Sequence, residues 1–130
     1  MAKETLLYLN QQKSELSILF VDNDEMKALN SDYRGVYKTT DVLAFEASIP
    51  GIPSHVLGDV VINALQAERQ AMDYEVEFDE EIHRLLTHGI LHLLGFDHER
   101  SEEDDLLMMQ KQEEIIRHVK EAIGRDKVNR

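Results

Sequence analysis

The chain has no cysteine, which excludes disulfides and thiolate ligands; any zinc it binds must be held by imidazole or carboxylate. Aromatic side chains make up only 6% of the residues, and no row of rings for stacking nucleic-acid bases stands out. Tyr33, Tyr37 and Phe45 could contribute base contacts, with core packing an equal explanation for Phe45. No apolar run approaches the roughly 18 residues that a membrane span requires. The stretch from Met1 to Thr5 lacks the charged-then-apolar layout of a signal peptide, so the cytoplasm is the expected location and a membrane is not an expected partner. Positive charge is scarce as well. With 14 Lys and Arg against 26 Asp and Glu, the net charge of −12 argues against holding a polyanion through broad electrostatics. The acids are concentrated between Asp73 and Glu81 and between Glu99 and Glu114. A groove on which Arg34, Lys38, Arg84 and a metal converged would therefore still be locally positive. At 130 residues one domain, 1–130, is expected, large enough for a core without staples.

What the chain does have is His88-Gly89-Ile90-Leu91-His92-Leu93-Leu94-Gly95-Phe96-Asp97-His98. Helix residues four apart lie about 40° apart around the axis and about 6 Å along it, so His88 and His92 share a face and can hold one ion together. A helix that simply continued would carry His98 away from that ion. Gly95 sits where a left-handed cap ends a helix, and glycine takes positive φ without steric cost. The chain can then turn back and deliver His98 as third ligand. Three neutral imidazoles with a water in the fourth position are the pattern of a catalytic zinc, whereas structural sites close with a fourth protein ligand. The spacing is that of the metzincin proteases, except that their general-base Glu after the first His is here Gly89, which has no side chain to accept a proton. A bound zinc would lower the pKa of its water towards ~7 and so supply hydroxide without that base. Nickel or copper would also suit three histidines.

The pattern along the chain predicts an α+β fold: a mixed sheet of about four strands packed with four to five helices, the metal-binding helix lying in the C-terminal half. Thr5 to Leu9, Glu15 to Asp22, Val42 to Ala47 and Val56 to Ile62 read as strands. Asn23 is expected to cap a short helix to about Ser31, with Met26, Leu29 and Tyr33 facing inward. Asn63 is expected to cap a helix to about Asp73, and Asp79 the metal helix. Ser101 with Asp104 marks the start of a final helix carrying Met109, Ile115, Ile116, Val119 and Ile123, stopped by Gly124. Met108 and Met109 read as core filler. His55, His83 and His118 lack metal spacing to the trio and read as surface or packing residues. Asp97 reads as a turn former beside a ligand, Asp41 as a brace for the turn before a strand, and Asp59 as a hydrogen-bonded anchor within an apolar strand.

The histidine segment closely resembles the signature of the YbeY family, small bacterial metal-dependent endoribonucleases of rRNA maturation. Leu29-Asn30-Ser31-Asp32-Tyr33-Arg34-Gly35 is similar to the family's Leu-Asn-x-x-Tyr-Arg-Gly element. Thr40-Asp41-Val42-Leu43-Ala44-Phe45 and Leu57-Gly58-Asp59-Val60-Val61-Ile62 are similar to two more of its segments, and the resemblance spans roughly residues 15 to 120. It implies one zinc ion on His88, His92 and His98, and His88 and Arg34 as catalytic residues, with Arg34 a phosphate clamp using its planar fork. It further implies single-stranded RNA, in particular rRNA, as substrate, with a ribosomal subunit or ribosomal proteins as partners. Thr39 and Glu46 stand where the family commonly has proline, Ala44 replaces its usual serine, and the amino terminus reads as shorter, without an early helix. Two other readings remain: a metzincin-like zinc hydrolase of peptides or small molecules, weakened by Gly89, and a non-catalytic module in which metal braces a ribosome-docking fold. The small size of Gly89 also suggests room beside the metal for a backbone phosphate.

Overall fold

A computed structural model describes residues 2–9, 15–46, 56–95 and 101–128. In chain order its elements are α1 (Ala2–Tyr8), β1 (Glu15–Val21), α2 (Asn23–Arg34), β2 (Val42–Glu46), β3 (Val56–Asn63), α3 (Ala64–Asp73), α4 (Phe78–Leu93) and α5 (Glu102–Val128). The α+β expectation holds. β3 is central, parallel to β1 and antiparallel to β2. Only three strands form among the described residues, because the segment Thr5 to Leu9, expected as the fourth, is helical. An apolar run of five residues carries no alternation that would favour a strand. In place, Leu6 is buried while Leu7 is exposed, and Leu9 N–H donates to Thr5 carbonyl at 3.2 Å, a helical bond. A helix thus stands early in the chain, where none was expected.

The sheet divides the core. On one face Val60 and Ile62 pack with Leu85, Leu86 and Ile90 of α4 and with Leu6 and Ala67. On the other, Val21, Leu43 and Val61 pack with Met26, and Leu29 and Phe45 close that cluster. Helices α2 and α4 therefore lie on opposite faces. α4 is buried almost all round, with α5 across its outer side through Leu91, Met108, Ile115 and Val119.

The start of α2 is set by Asp22 rather than Asn23. Its carboxylate accepts from Glu25 N–H at 2.8 Å, and Glu25 reaches back to Asp22 N–H at 3.4 Å. Asn23 has another task. Its side-chain oxygen accepts from Asn63 Nδ2 at 2.6 Å and from Thr39 Oγ1 at 3.2 Å. Asn63 caps α3 as expected, its own oxygen accepting from Gln66 N–H at 3.1 Å. Thr39 thereby helps join α2 to the start of α3. Asp41 braces the start of β2, its carbonyl accepting from Asn63 N–H at 2.9 Å. α4 begins at Phe78 with Glu77 in the capping position and no side-chain cap bond, so Asp79 is a first-turn acid and not the cap. Ser101 caps α5, accepting from Asp104 N–H at 3.1 Å. Gly124 does not end that helix, since a lone glycine costs only about 1 kcal/mol within one. Met108 is buried, whereas Met109, expected inside, is exposed. No helix among the described residues is long and apolar enough to cross a membrane.

His83 is a packing residue, as expected, and it gives the fold a pH dependence. It is 5% exposed and its Nε2 lies 3.1 Å from Thr5 Oγ1. Burial lowers its pKa to about 4. The unfolded chain binds a proton there below about pH 6.5. Between roughly pH 6.5 and 4 the unfolded state therefore holds more protons, and stability falls as pH falls, by about 3 kcal/mol across the window, with no loss above it. Urea unfolding at stepped pH should show this slope in wild type and a shallower one in His83→Gln. Parallel curves would contradict it.

Candidate active site

One stripe of α4 reaches solvent. From Glu81 onward, Arg84, His88 and His92, each four residues apart, break an otherwise buried helix: Arg84 and His88 are half-buried and His92 is exposed. The shared face expected of His88 and His92 is present. The His88 ring is also oriented. Met108 and Ile115 bury one face of α5 against Leu91, and Gln112 lies between them on that face. Its Oε1 stands 3.0 Å from His88 Nδ1. With Nδ1–H donating to that oxygen, the ring is held in one tautomer and orientation, as outer partners hold a histidine that serves a metal. The residues present thus suit an imidazole-bound divalent cation. Gln112 escaped sequence reading because Gln110-Lys111-Gln112-Glu113-Glu114 looks like a solvated face; its only signal is its place four residues after Met108 and three before Ile115.

Helix α4 ends as its sequence requires. Gly95 takes φ +100°, and its N–H donates to His92 carbonyl at 3.1 Å. The third expected ligand, His98, lies with Asp97 and His55 outside the described residues, and among those described no group of three metal-binding side chains forms.

Strand pairing fixes the position of this stripe. Glu46 pairs with Gly58 at one end of the sheet, and a methyl built on Gly58 would meet Leu93 Cδ2 at 3.1 Å. The C-terminal end of α4, with His92, therefore reaches the end of the sheet where β2 stops and β3 begins. Arg34 reaches the same end from the other face. It is the last residue of α2, not a loop residue, and Gly35 caps the helix with its N–H on Ser31 carbonyl at 3.0 Å. Tyr33, expected inside, is exposed, yet one contact holds it: its ring lies 4.7 Å from that of Phe45 in β2, tilted by 46°. The structure brings Arg34 and the histidines to one end of the sheet without placing them side by side.

Three other expectations change. Arg84 does not join a substrate groove. Its Nε and Nη2 donate to the buried Glu81 carboxylate at 2.7 and 2.6 Å, towards the opposite end of α4. Gln70 also donates to Glu81 at 2.6 Å, so the carboxylate is paired and hydrogen-bonded as burial demands. The hydrogen bond and charge of Glu81 raise the Arg84 pKa, locking it as a structural cation. Gly89 makes no room for phosphate. A methyl there would point at Val60 of β3, 2.8 Å from Cγ1, so its smallness lets the helix lie close on the sheet. Asp59 is exposed on the α2 face, paired in register with Phe45, and is no buried anchor. His118 packs its ring 4.6 Å from that of Tyr8, a surface role as expected.

An α+β domain that offers a half-buried, pre-oriented histidine and an exposed one from one helix face presents the side chains a hydrolase uses. Comparison with known proteins narrows the class. The family model described as Endoribonuclease YbeY matches residues 1–120. A protein of that name from Persephonella marina is 42% identical over 125 residues, covering 95% of this chain and 82% of the relative. One from Campylobacter fetus is 43% identical over 107 residues, covering 82% and 76%. A solution structure of a Thermotoga maritima protein superposes with a TM-score of 0.64 at 29% identity, covering 98% of this chain and 83% of the other. This chain belongs to the YbeY endoribonuclease family.

Proposed function

We propose that the chain is a zinc-dependent endoribonuclease that cuts single-stranded RNA in rRNA processing and ribosome quality control. Membership of an endoribonuclease family over residues 1–120 supports the reaction, and the solvent-reaching His88–His92 stripe on a buried helix supports its placement. His88 through Nε2, His92 and His98 are the proposed ligands of one zinc ion. When bound, that ion supplies a Lewis acid able to make water nucleophilic near neutral pH and to offset charge on phosphoryl oxygens.

The chain's own residues do the rest. Gln112 holds the His88 ring in the ligating tautomer. Arg34 offers two parallel N–H donors to the non-bridging phosphate oxygens, where charge builds in the transition state. An RNA strand crossing the end of the sheet meets Arg34 and the histidines together. The acidic balance of the chain fits RNA presented by a ribosomal subunit or ribosomal proteins better than capture by bulk charge, and such a role lies in the cytoplasm.

The test is cleavage of single-stranded, rRNA-derived RNA by zinc-loaded protein. Cutting that stops when a chelator is added and returns with zinc is the expected result; analysis of the product ends then shows whether water attacks. Intact RNA after incubation with zinc-loaded protein would overturn the proposal.

A further inference from the structure

The chain carries few rings, yet two of its four tyrosines stand exposed within five residues of one another. Tyr33 is 69% exposed and Tyr37 is 75% exposed, and Arg34 and Lys38, also exposed, follow them. Burial does not account for these rings. A tyrosine in water leaves a large apolar surface unmatched, and Tyr37 makes no contact with another ring among the described residues. Charge is equally out of keeping with the rest of the chain. Residues 33–38 hold two cations and no acid in a protein of net charge −12, and neither cation pairs with a carboxylate among the described residues.

The segment is held in place despite its exposure. Gly35 and Val36 N–H groups return to the carbonyls of Ser31 at 3.0 Å and Asn30 at 3.4 Å, and Lys38 N–H donates to Val36 carbonyl at 3.0 Å. Buried Asn30 closes the loop, its Nδ2 donating to Lys38 carbonyl at 2.9 Å. Tyr33 is braced from beneath by Phe45. The hook therefore presents its rings and charges with much of the ordering cost already met within the fold.

We infer that the hook Tyr33–Lys38 is a binding strip for single-stranded RNA, in which the two tyrosine rings stack on unpaired bases and Arg34 and Lys38 follow the phosphates between them. Alternating ring and cation is the chemistry of a single-strand platform: every unpaired base has a face to stack, whereas a duplex hides its faces. Tyr33 and Arg34 lie at the sheet end that the histidines also reach, so RNA on the strip leads towards them. The inference rests on the endoribonuclease reading for its substrate class and adds the surface that selects single strands.

The test is fluorescence anisotropy of a labelled octaribonucleotide of mixed A and C with the full chain, in EDTA so that nothing is cut. Tyr37→Ala is expected to weaken binding about tenfold and Tyr37→Phe, which keeps the ring, to bind as wild type. Lys38→Ala should flatten the dependence of log affinity on log salt by about 0.7. Both tyrosine variants should bind a duplex as wild type does. Tyr37→Ala binding the single strand as wild type, or Tyr37→Phe falling as far as Ala, overturns the strip, and cleavage by zinc-loaded wild type would show the endoribonuclease reading surviving alone. Ring-dependent binding by a protein that cuts nothing would support the strip and sink the nuclease instead.

Discussion

Gly58→Ala is expected to be the most damaging single-methyl change in the molecule, lowering stability by at least about 3 kcal/mol and the melting temperature by about 10 °C. Gly58 takes φ +146°, a conformation that L side chains rarely adopt, so any Cβ there is strained before it meets a neighbour. It then meets the carbonyl oxygen of Phe45 well inside van der Waals contact, across the β2–β3 pair, and Leu93 Cδ2 at 3.1 Å. A backbone carbonyl paired in a sheet cannot step aside as a side-chain tip can. Gly89→Ala is the instructive comparison. Its methyl would press on Val60 Cγ1 at 2.8 Å, but α4 keeps ordinary helical geometry and the helix gains propensity, so a loss of about 1–2 kcal/mol is expected. Thermal melts of the two variants decide the order; a Gly58→Ala protein as stable as wild type would mean that the β2–β3 end yields more easily than its pairing implies. Because this end also carries the approach to the histidines, Gly58→Ala should lose activity along with stability, whereas a mild Gly89→Ala that folds should retain cleavage.

These two glycines show where reading the sequence stops. Gly89 invited a chemical explanation because its neighbours are ligands, yet its methyl-free side faces β3, and no spacing along the chain reveals Val60 lying opposite it. Elements whose signal is local were legible: the Asn63 cap of α3, the Ser101 cap of α5, the turn at Gly95, and the shared face of His88 and His92. Elements whose outcome depends on a distant partner were not. Leu6 and Leu9 read as strand residues until α4 and α5 supply the surface that α1 covers. Gln112 is separated from His88 by 24 positions and is an ordinary polar residue until α5 folds back. Arg84, counted as a groove cation, is claimed by Glu81, an acid that composition alone would have left in solvent.

His92→Ala should abolish RNA cleavage, with a loss on the order of a thousandfold or more, while leaving the fold intact. The two halves of that expectation come from different observations. Exposed His92 makes no side-chain hydrogen bond or ion pair among the described residues that its removal would orphan, and surface substitutions of this kind usually change stability by less than about 0.5 kcal/mol. Its place four residues from His88 makes it half of the helix-borne pair proposed to hold zinc, and the remaining residue of that stripe, Arg84, four before His88, is a cation engaged by Glu81 and no substitute ligand. His88→Ala would be a poorer probe, since it also strands Gln112 inside the α4–α5 contact and mixes loss of a ligand with loss of packing. The informative experiment therefore measures three quantities on His92→Ala purified beside wild type: melting temperature, zinc bound per chain, and cleavage of single-stranded RNA. Unchanged melting of the metal-free proteins, with zinc and cleavage both lost, ties the reaction to the α4 stripe. Retained zinc with lost cleavage would make His92 a residue that acts on substrate instead of metal. Retained cleavage would move the active centre off α4 altogether, and the opposite face of the sheet, where Arg34 and the tyrosine hook lie, would become the place to look for it.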